Sequence, residues 1–241
     1  MIVNGKDLAR KFQGKIRFGQ QTIQPRDVKT YTEWLDHTTA PKSYYNPEPQ
    51  FFDVTIEMII TGNTKNDAER CISDVTNDFI AANSFKLDDV DFLINAEVSG
   101  IEKEFVRKWA YKVTVTLQAW DKITDQVTVM LNSTTQTINV AGNKETPCIV
   151  EILPNVDVSK LQIHGVSYDR YNLDSGIEIR NLKQGKKIVI NGEDCTALQE
   201  GKNKFSDLEI WNFPKLNPGS NTISITSDQC SVTIKYKPRY V

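Results

Sequence analysis

Apolar and polar residues alternate clearly near position 55 of this 241-residue chain. Every second residue there is large and apolar: Val54, Ile56, Met58 and Ile60. A period of two is typical of a strand that buries one face. The next segment has turn and N-cap residues at 62–64, followed by apolar residues at helical spacing, namely Ala68, Cys71, Ile72, Val75, Phe79 and Ile80. The spacing predicts a helix over about residues 65–82 that packs on a sheet.

Further strands are predicted at residues 85–87, 92–98 and 105–120. The last has the strongest alternation in the chain, with Val113, Val115, Leu117 and Ala119 on its apolar side. In residues 121–134 only the short stretch 127–131 alternates in the same way, and the rest shows no periodic apolar pattern. We therefore place a domain boundary there, which predicts a first domain at residues 1–134 and a second at 135–241.

The second domain has the pattern of an all-β fold. Nine short strands are predicted, at residues 137–140, 148–153, 161–164, 176–180, 187–190, 195–198, 208–211, 221–226 and 230–236. Asn191-Gly192 is a signal for a type I′ hairpin between two of them. Short strands with a turn about every ten residues, and no helical pattern, predict an antiparallel sandwich.

The first fifty residues have a different character. Short hairpin-like pieces are predicted around Gly5, Gly14 and Gly19, followed by a proline-spaced stretch that we interpret as a long extended arm. Long loops in compact proteins are commonly functional or bound to a partner. The arm therefore supplies candidate subunit-contact residues: Tyr31, Trp34, Tyr44 and Tyr45. Packing of these aromatic residues on their own domain is the alternative.

Composition limits the classes of function. Apolar residues make up 39% and charged residues 25% of the chain, as in ordinary soluble globular proteins. Residues 1–134 carry 16 basic and 19 acidic residues (−3), and residues 135–241 carry 13 and 12 (+1). Neither part has the basic excess that drives nonspecific nucleic-acid binding. No membrane span or secretory signal is evident, and the four dispersed cysteines are expected to stay reduced in a cytosol.

Candidate chemistry is sparse. His37 and His164 lie in different domains and have no metal-ligand partner nearby, so no metal site is predicted. Asp174 begins an Asp-Ser-Gly sequence like that of aspartic proteases, but such an aspartate needs a second carboxylate opposite it, and we interpret it as turn chemistry. The segment with Asp88, Asp89 and Asp91 lacks the glycine and the final glutamate of an EF-hand calcium loop, so we interpret it as a solvent-exposed turn. We predict no catalytic residue, no cofactor and no enzymatic activity.

The segment from Trp211 to Ile225 is the most specific motif in the chain. Trp211, Phe213 and Leu216 are predicted to be apolar anchors, and a Pro-Gly turn precedes an alternating strand. The segment resembles the closing F-P-x-L-x-P-G-x-N-x-I motif of the distal tail proteins of siphophages, which are phages with long non-contractile tails. The matching residues are Trp211, Phe213, Pro214, Leu216, Pro218, Gly219, Asn221 and Ile223.

The resemblance implies a mainly β fold. Its parts are an N-terminal β-sandwich or split-barrel-like domain with one helix and a C-terminal galectin-like antiparallel sandwich. It also implies a structural hub at the phage tail tip, in which the N-terminal domains form a homohexameric ring that continues the tail tube. The C-terminal domains would hold receptor-binding, tail-fibre or baseplate proteins.

The implied partners also include the tail tube protein and tail-associated or tape-measure proteins, and DNA would pass the lumen without specific binding. The protein would be made in the host cytoplasm and reside in the virion. Two alternatives remain open, a carbohydrate-binding sandwich used in host adsorption and a tail tube protein. The histidine–asparagine–arginine set and the tryptophan–glutamate–arginine pattern of sugar-binding galectins are absent around His164 and Trp211.

Overall fold

The structure, a computed structural model, describes residues 1–26, 28–29, 32–33, 39–43, 48–169 and 173–241. It divides into two compact units, residues 1–123 with residue 241, and residues 124–240. Both are built mainly from antiparallel strands, and the fold class predicted from the sequence is confirmed.

The first unit contains two helices and eleven strands within the described ranges. The helices are α1 (Leu8–Lys11) and α2 (Lys65–Ile80). The strands are β1 (Ile2–Val3), β2 (Lys6–Asp7), β3 (Ile16–Ile23), β4 (Val28–Lys29), β5 (Thr32–Glu33), β6 (Lys42–Ser43), β7 (Glu48–Pro49), β8 (Phe52–Thr61), β9 (Ser84–Lys86), β10 (Leu93–Arg107) and β11 (Ala110–Ile123). The main sheet has the order β2-β1-β9-β10-β11-β8-β3.

The alternation predicted for β8 and β11 is present in the structure. Ile56 lies opposite Val115, and Met58 lies opposite Val113, with all four side chains buried. These residues and the buried face of α2 form one hydrophobic core. Within it the ring of Phe79 on α2 stacks on that of Phe85 on β9, with 5.9 Å between the ring centroids. The helical stripe is narrower than predicted because Ile80 lies on the outer side of α2 and is 64% exposed.

The start of α2 is stabilised by its own side chains. Thr64 Oγ1 accepts a hydrogen bond from the Asp67 backbone N–H at 3.1 Å. The Asp67 carboxylate accepts from the Asn63 N–H at 3.0 Å and from Lys15 Nζ at 2.6 Å. Thr64 therefore satisfies an otherwise unpaired N–H of the first turn, and Asp67 places negative charge at the positive end of the helix dipole.

Two predicted elements of the first unit differ from the structure. The strand expected over residues 105–120 is divided by a two-residue turn at Lys108 and Trp109, since Arg107 pairs with Ala110 across a hairpin. Trp109 adopts a left-handed backbone conformation, with φ of 60°, which a pattern of apolar positions does not reveal. In the described part of the arm, β4 pairs with β7 and β5 pairs with β6, so these short pieces form two antiparallel pairs.

The second unit is a sandwich of two antiparallel sheets around one core. Its strands are β12 (Val127–Met130), β13 (Thr135–Val140), β14 (Thr146–Pro154), β15 (Val158–His164), β16 (Ile177–Leu182), β17 (Ile188–Asn191), β18 (Thr196–Gln199), β19 (Lys202–Asn203), β20 (Leu208–Ile210), β21 (Lys215–Leu216), β22 (Gly219–Ile225), β23 (Cys230–Tyr236) and β24 (Arg239–Tyr240). One sheet has the order β12-β23-β14-β17-β18-β19, with β21 beside β14, and the other has the order β13-β22-β15-β16-β20.

The nine strands predicted from the sequence correspond to strands of this sandwich, with two differences in detail. The division between units precedes the boundary predicted near residue 134, because β12 pairs with β23 of the second unit. The turn after β17 has four residues, 192–195, where a two-residue type I′ turn was predicted. Cys195 rather than Gly192 takes the left-handed conformation there, with φ of 53°.

Candidate functional site

Most of the Trp211–Ile225 motif serves the core and backbone of the sandwich. Leu216 and Ile223 are fully buried and Pro214 is buried, whereas Phe213 is partly buried and its ring lies 5.8 Å from that of Phe205. Pro214 O accepts a hydrogen bond from the Cys148 N–H at 3.0 Å, which ties the motif to the start of β14. These residues therefore anchor the segment, as the sequence predicted.

Asn221 holds the turn between β21 and β22. Asn221 is only 2% exposed, and its Oδ1 accepts a hydrogen bond from the Asn217 N–H at 3.0 Å. Its Nδ2 donates to Asn217 O at 2.7 Å and to Gly219 O at 3.0 Å. Gly219 has φ of 86°, a conformation that favours glycine, and Pro218 is exposed beside it. The Pro-Gly-x-Asn part of the motif is thus a turn that the side-chain amide of Asn221 stabilises by hydrogen bonds.

The approach to this motif is equally fixed. Ser167, which is buried, donates its hydroxyl to Asn212 O at 2.7 Å, and the Lys215 N–H donates to Val166 O at 2.8 Å. A Cβ added to Gly192 would lie 1.9 Å from Pro214 O, so the residue after Asn191 has to be glycine for packing reasons. The backbone on both sides of residue 213 is therefore held by the sandwich.

Trp211 does not anchor the fold, and the prediction that it does is wrong. Its side chain is 82% exposed. Leu208 and Ile210 pack against the core while Glu209 is exposed, so continued alternation directs Trp211 to the outer face of the β13-β22-β15-β16-β20 sheet. An indole this exposed, on a rigidly held segment, is available for contact with another molecule.

A small cavity of about 120 Å³ lies beside Trp211 on this outer face. Three neighbouring strands supply its wall, because the cross-strand register places Gln162 of β15 opposite Glu178 of β16, and Glu178 opposite Glu209 of β20. The full lining is Gln162, His164, Ser175, Gly176, Ile177, Glu178, Glu209 and Trp211. We call this set, together with the paired Lys160 and Arg180, the Trp211 site.

Ion pairs fix the polar side chains of the Trp211 site. Lys160 Nζ lies 2.6 Å from Glu178 Oε2, and Arg180 Nε lies 2.8 Å from Glu178 Oε1. Gln162 Nε2 donates to Glu178 at 3.1 Å, and a second Arg180 nitrogen lies 2.9 Å from Glu209 Oε2. Hydrogen bonds from Lys160 and Arg180 lower the pKa of Glu178 to about 2. The two cations and two carboxylates balance in charge.

His164 is positioned by a turn rather than by a catalytic partner. Its Nδ1 forms a hydrogen bond with Asp174 Oδ2 at 3.2 Å, and the same oxygen accepts from the Gly165 N–H at 3.0 Å. The other Asp174 oxygen accepts from the Gly176 N–H at 3.2 Å. A Cβ on Gly176 would lie 2.8 Å from His164 Cε1, so glycine leaves room for the imidazole. Asp174 thus performs the turn chemistry that the sequence suggested.

Asp88, the first carboxylate of the cluster considered for calcium, has structural contacts. Asp88 binds the amino group of Met1 and exchanges two hydrogen bonds with the Gln21 amide, at 3.0 and 3.1 Å. Within the described ranges, no group of three His, Cys, Asp or Glu side chains is arranged to hold a metal ion. All four cysteines are free thiols, and burial raises the pKa of Cys71, Cys148 and Cys230. None of the described helices has the length and apolar character needed to cross a bilayer.

The candidate subunit-contact residues of the arm, Tyr31, Trp34, Tyr44 and Tyr45, lie outside the described residues, as does His37. The structure instead reveals exposed apolar side chains of the first unit that the sequence analysis did not single out. Phe105 is 67% exposed at the end of β10, and its ring meets Tyr111 edge to face at 6.0 Å. Val106 is exposed next to it. Alternation alone does not identify these positions, because β10 is exposed on both faces beyond residue 101.

Comparison with known proteins agrees with this fold. Residues 141–240 match the family of siphovirus-type tail components, C-terminal domain. The chain superposes on the crystal structure of the SPP1 Dit (gp 19.1) protein, described as a paradigm of the hub adsorption apparatus in phages that infect Gram-positive bacteria. The TM-score is 0.80 at 11% identity, over 100% of this chain and 98% of that one.

A second similar structure is the baseplate of phage P2 in its activated conformation with Ca, with a TM-score of 0.50 at 11% identity over 92% of this chain and 91% of that chain. No curated protein sequence matches the chain. At such low identity the superpositions establish a shared fold alone, and the family match covers the C-terminal residues 141–240. Residues 141–240 are therefore similar to the siphovirus-type tail components, and the chain as a whole has the fold of the SPP1 Dit protein.

Proposed function

We propose that this protein is a structural hub in which six copies close into a ring that joins the tail tube to the proteins of the tail tip. The match of its C-terminal domain to siphovirus-type tail components supports a place in the phage tail hub or baseplate, and thus in the virion. The observation that carries the proposal is the family match of residues 141–240 together with the shared fold of the whole chain. Such a protein works by association and not by catalysis.

Exposed apolar surface of the first unit supports ring formation by residues 1–134. The core of this unit is complete without Phe105, Val106 and Ile80, all of which are exposed. Apolar side chains that the fold leaves uncovered lower the free energy when a neighbouring subunit buries them. The arm residues Tyr31, Trp34, Tyr44 and Tyr45 are further proposed contacts, because tyrosine and tryptophan are enriched at interfaces.

The outer face of the main sheet suits a lumen through which DNA passes. Thr55, Thr114 and Thr116 lie on this face, and Lys112 is paired there with Glu57 at 2.7 Å. Grip on phosphates requires an excess of cations, and residues 1–134 carry a net charge of −3. A polar face without that excess would let DNA slide by without specific binding.

The second unit is proposed to hold the other tail-tip proteins. It has its own two-sheet core, so it can project from a ring without losing stability. Receptor-binding, tail-fibre or baseplate proteins are its proposed partners. The tail tube protein and tail-associated or tape-measure proteins would meet the ring itself.

Mass measurement in solution tests the ring. Light scattering of the purified protein is expected to give about 164 kDa, six times the mass of the 27.4 kDa chain, and electron microscopy to show six-fold rings. Long tubes would favour the tail tube alternative, and monomers at all concentrations would contradict a ring that forms alone. The double variant Tyr31→Ala, Trp34→Ala tests the arm. An intact ring in this variant would show that these arm residues do not hold the subunits together.

A matched pair of variants tests the exposed surface of β10. Phe105→Ser is expected to weaken the ring, whereas Leu173→Ser in the second unit, a residue of similar exposure, is expected to leave it intact. If both variants form particles of the same mass as the parent protein, Phe105 does not contribute to the contact between subunits.

A further inference from the structure

The outer face of the β13-β22-β15-β16-β20 sheet combines two features that a purely structural sandwich does not need. One is the indole of Trp211, 82% exposed and backed by a rigid segment. The other is the adjacent cavity of about 120 Å³, lined by amide, imidazole and carboxylate groups. We infer that the Trp211 site binds a neutral pyranose unit of a polysaccharide. This inference goes beyond the hub function and does not depend on the ring.

The chemistry of a sugar ring matches both features. One face of a pyranose carries C–H groups of slight positive charge, which are attracted to the negative face of an indole. Its hydroxyls both donate and accept hydrogen bonds, as the amide of Gln162 and the carboxylates of Glu178 and Glu209 require. His164 adds a second ring nitrogen, Nε2, because the hydrogen bond with Asp174 Oδ2 involves only Nδ1.

The site is organised before any ligand arrives. Glu178, with a side chain only 13% exposed, is held by Lys160 and Arg180 at 2.6 and 2.8 Å, while the more exposed Glu209 has one contact, with Arg180 at 2.9 Å. Side chains that are already ordered lose little entropy on binding. The order of these groups therefore favours recognition of hydroxyls at fixed positions.

Charge and size argue against two other kinds of ligand, anionic polymers and molecules enclosed whole by a pocket. Lys160 and Arg180 are balanced by Glu178 and Glu209, so the site has no cationic surplus for the phosphates of an anionic polymer. A volume of about 120 Å³ has room for about four waters, well below the usual range of pockets that enclose a whole ligand. A shallow subsite of this size suits part of one sugar while the rest of a chain runs across the open sheet.

Affinity at one such site is expected to be weak, in the millimolar range. If the proposed ring forms, it would present six copies of the site, and simultaneous contacts raise the overall avidity by orders of magnitude without any new contact. A repetitive cell-surface polysaccharide would then be held firmly by sites that are individually weak and quickly reversible.

The test is a titration of the full-length protein with neutral oligosaccharides of glucose, galactose, N-acetylglucosamine and rhamnose, followed by saturation-transfer NMR. We expect at least one to bind, with little change between low and high salt, because no net charge is involved. Trp211→Ala is expected to weaken binding about tenfold or more, since it removes the stacked ring. Trp211→Phe should retain part of the affinity.

The matched control is Trp120→Ala, which removes a partly exposed indole from the first unit and is expected to leave sugar binding unchanged. Three results would overturn the inference: no binding of any oligosaccharide in the panel, binding unaffected by Trp211→Ala, or binding confined to phosphate-containing glycans and abolished by salt. Loss of a tail-tip protein rather than of sugar in Trp211→Ala would make the surface a protein contact and also overturn it. Mass measurement of the same samples reports separately on the ring.

Discussion

Asn221 offers a sharp test of how the C-terminal motif stabilises the sandwich. Asn221→Asp keeps the shape of the side chain and retains an acceptor for the Asn217 N–H. It replaces the amide nitrogen, which donates to Asn217 O and Gly219 O, by an oxygen that faces the same two carbonyls. The change turns two attractive contacts at 2.7 and 3.0 Å into repulsive ones and places a charge in a residue 2% exposed.

The magnitude follows from these contacts. Two hydrogen bonds are lost, each with a net worth of about 1 kcal/mol. An uncompensated charge is also buried, and the loss of a partner from a buried charge pair typically costs about 3–5 kcal/mol. Because the carboxylate keeps one N–H donor, we expect the free energy of unfolding to fall by about 3–5 kcal/mol at neutral pH.

The effect must depend on pH in a definite direction. The unfolded aspartate has a pKa near 3.9, and the two facing carbonyls raise its pKa in the folded variant. Between these two values the folded state binds more protons than the unfolded state, so stability falls as the pH rises. The destabilisation relative to the parent is therefore smallest below about pH 3.9 and grows until the pH exceeds the folded pKa.

Urea unfolding followed by circular dichroism, at pH 7 and pH 5, measures both parts of this prediction. Asn139→Asp is the matched control, since Asn139 is exposed on β13 in the same sheet and undergoes the same chemical change. The reasoning would be refuted if the two variants unfolded at the same urea concentration. A deficit of Asn221→Asp relative to the control that did not shrink in acid would contradict the role assigned to the carbonyls.

Three further predictions follow from burial and charge. Leu216→Ala is expected to lower the free energy of unfolding by about 2–5 kcal/mol, against less than about 0.5 kcal/mol for exposed Trp211→Ala, as measured by urea denaturation. Carbon NMR is expected to show Glu178 ionised down to a pKa of about 2, so its favourable pairing persists until the pH falls toward that value; Lys160→Ala should move the pKa toward 4.5. Ellman's reagent is expected to modify Cys195 rapidly and the three buried thiols only after unfolding.

Local patterns were sufficient wherever one face of an element is buried and the other is wet. The alternation in β8 and β11 and the N-cap of α2 are encoded within a few residues, because side-chain direction repeats every two or 3.6 positions. The same holds for the nine predicted strands of the sandwich. The motif that carries the resemblance to the distal tail proteins is also local, since Pro214, Leu216, Gly219 and Asn221 build one turn and its anchors.

Local patterns did not predict which strands pair or where long strands begin and end. None of the four residues of β12 is buried, so periodicity places it in a linker, while its hydrogen bonds to β23 assign it to the sandwich. Gly192 looked like a turn residue, yet its reason for being glycine is Pro214 O, which approaches from a distant part of the chain. In each case the deciding partner is far away in sequence.

The amino-acid sequence alone thus predicted a mainly β chain, the helix that follows residue 64, an antiparallel sandwich and a resemblance to the distal tail proteins, because burial and turn chemistry are encoded locally. Tertiary structure alone decided that Trp211 points outward and that Gln162, Glu178 and Glu209 meet beside it. An apolar residue in a motif has the same appearance in the sequence whether it faces the core or the solvent. Only the register of three strands separated by many residues determines which surface such a side chain belongs to.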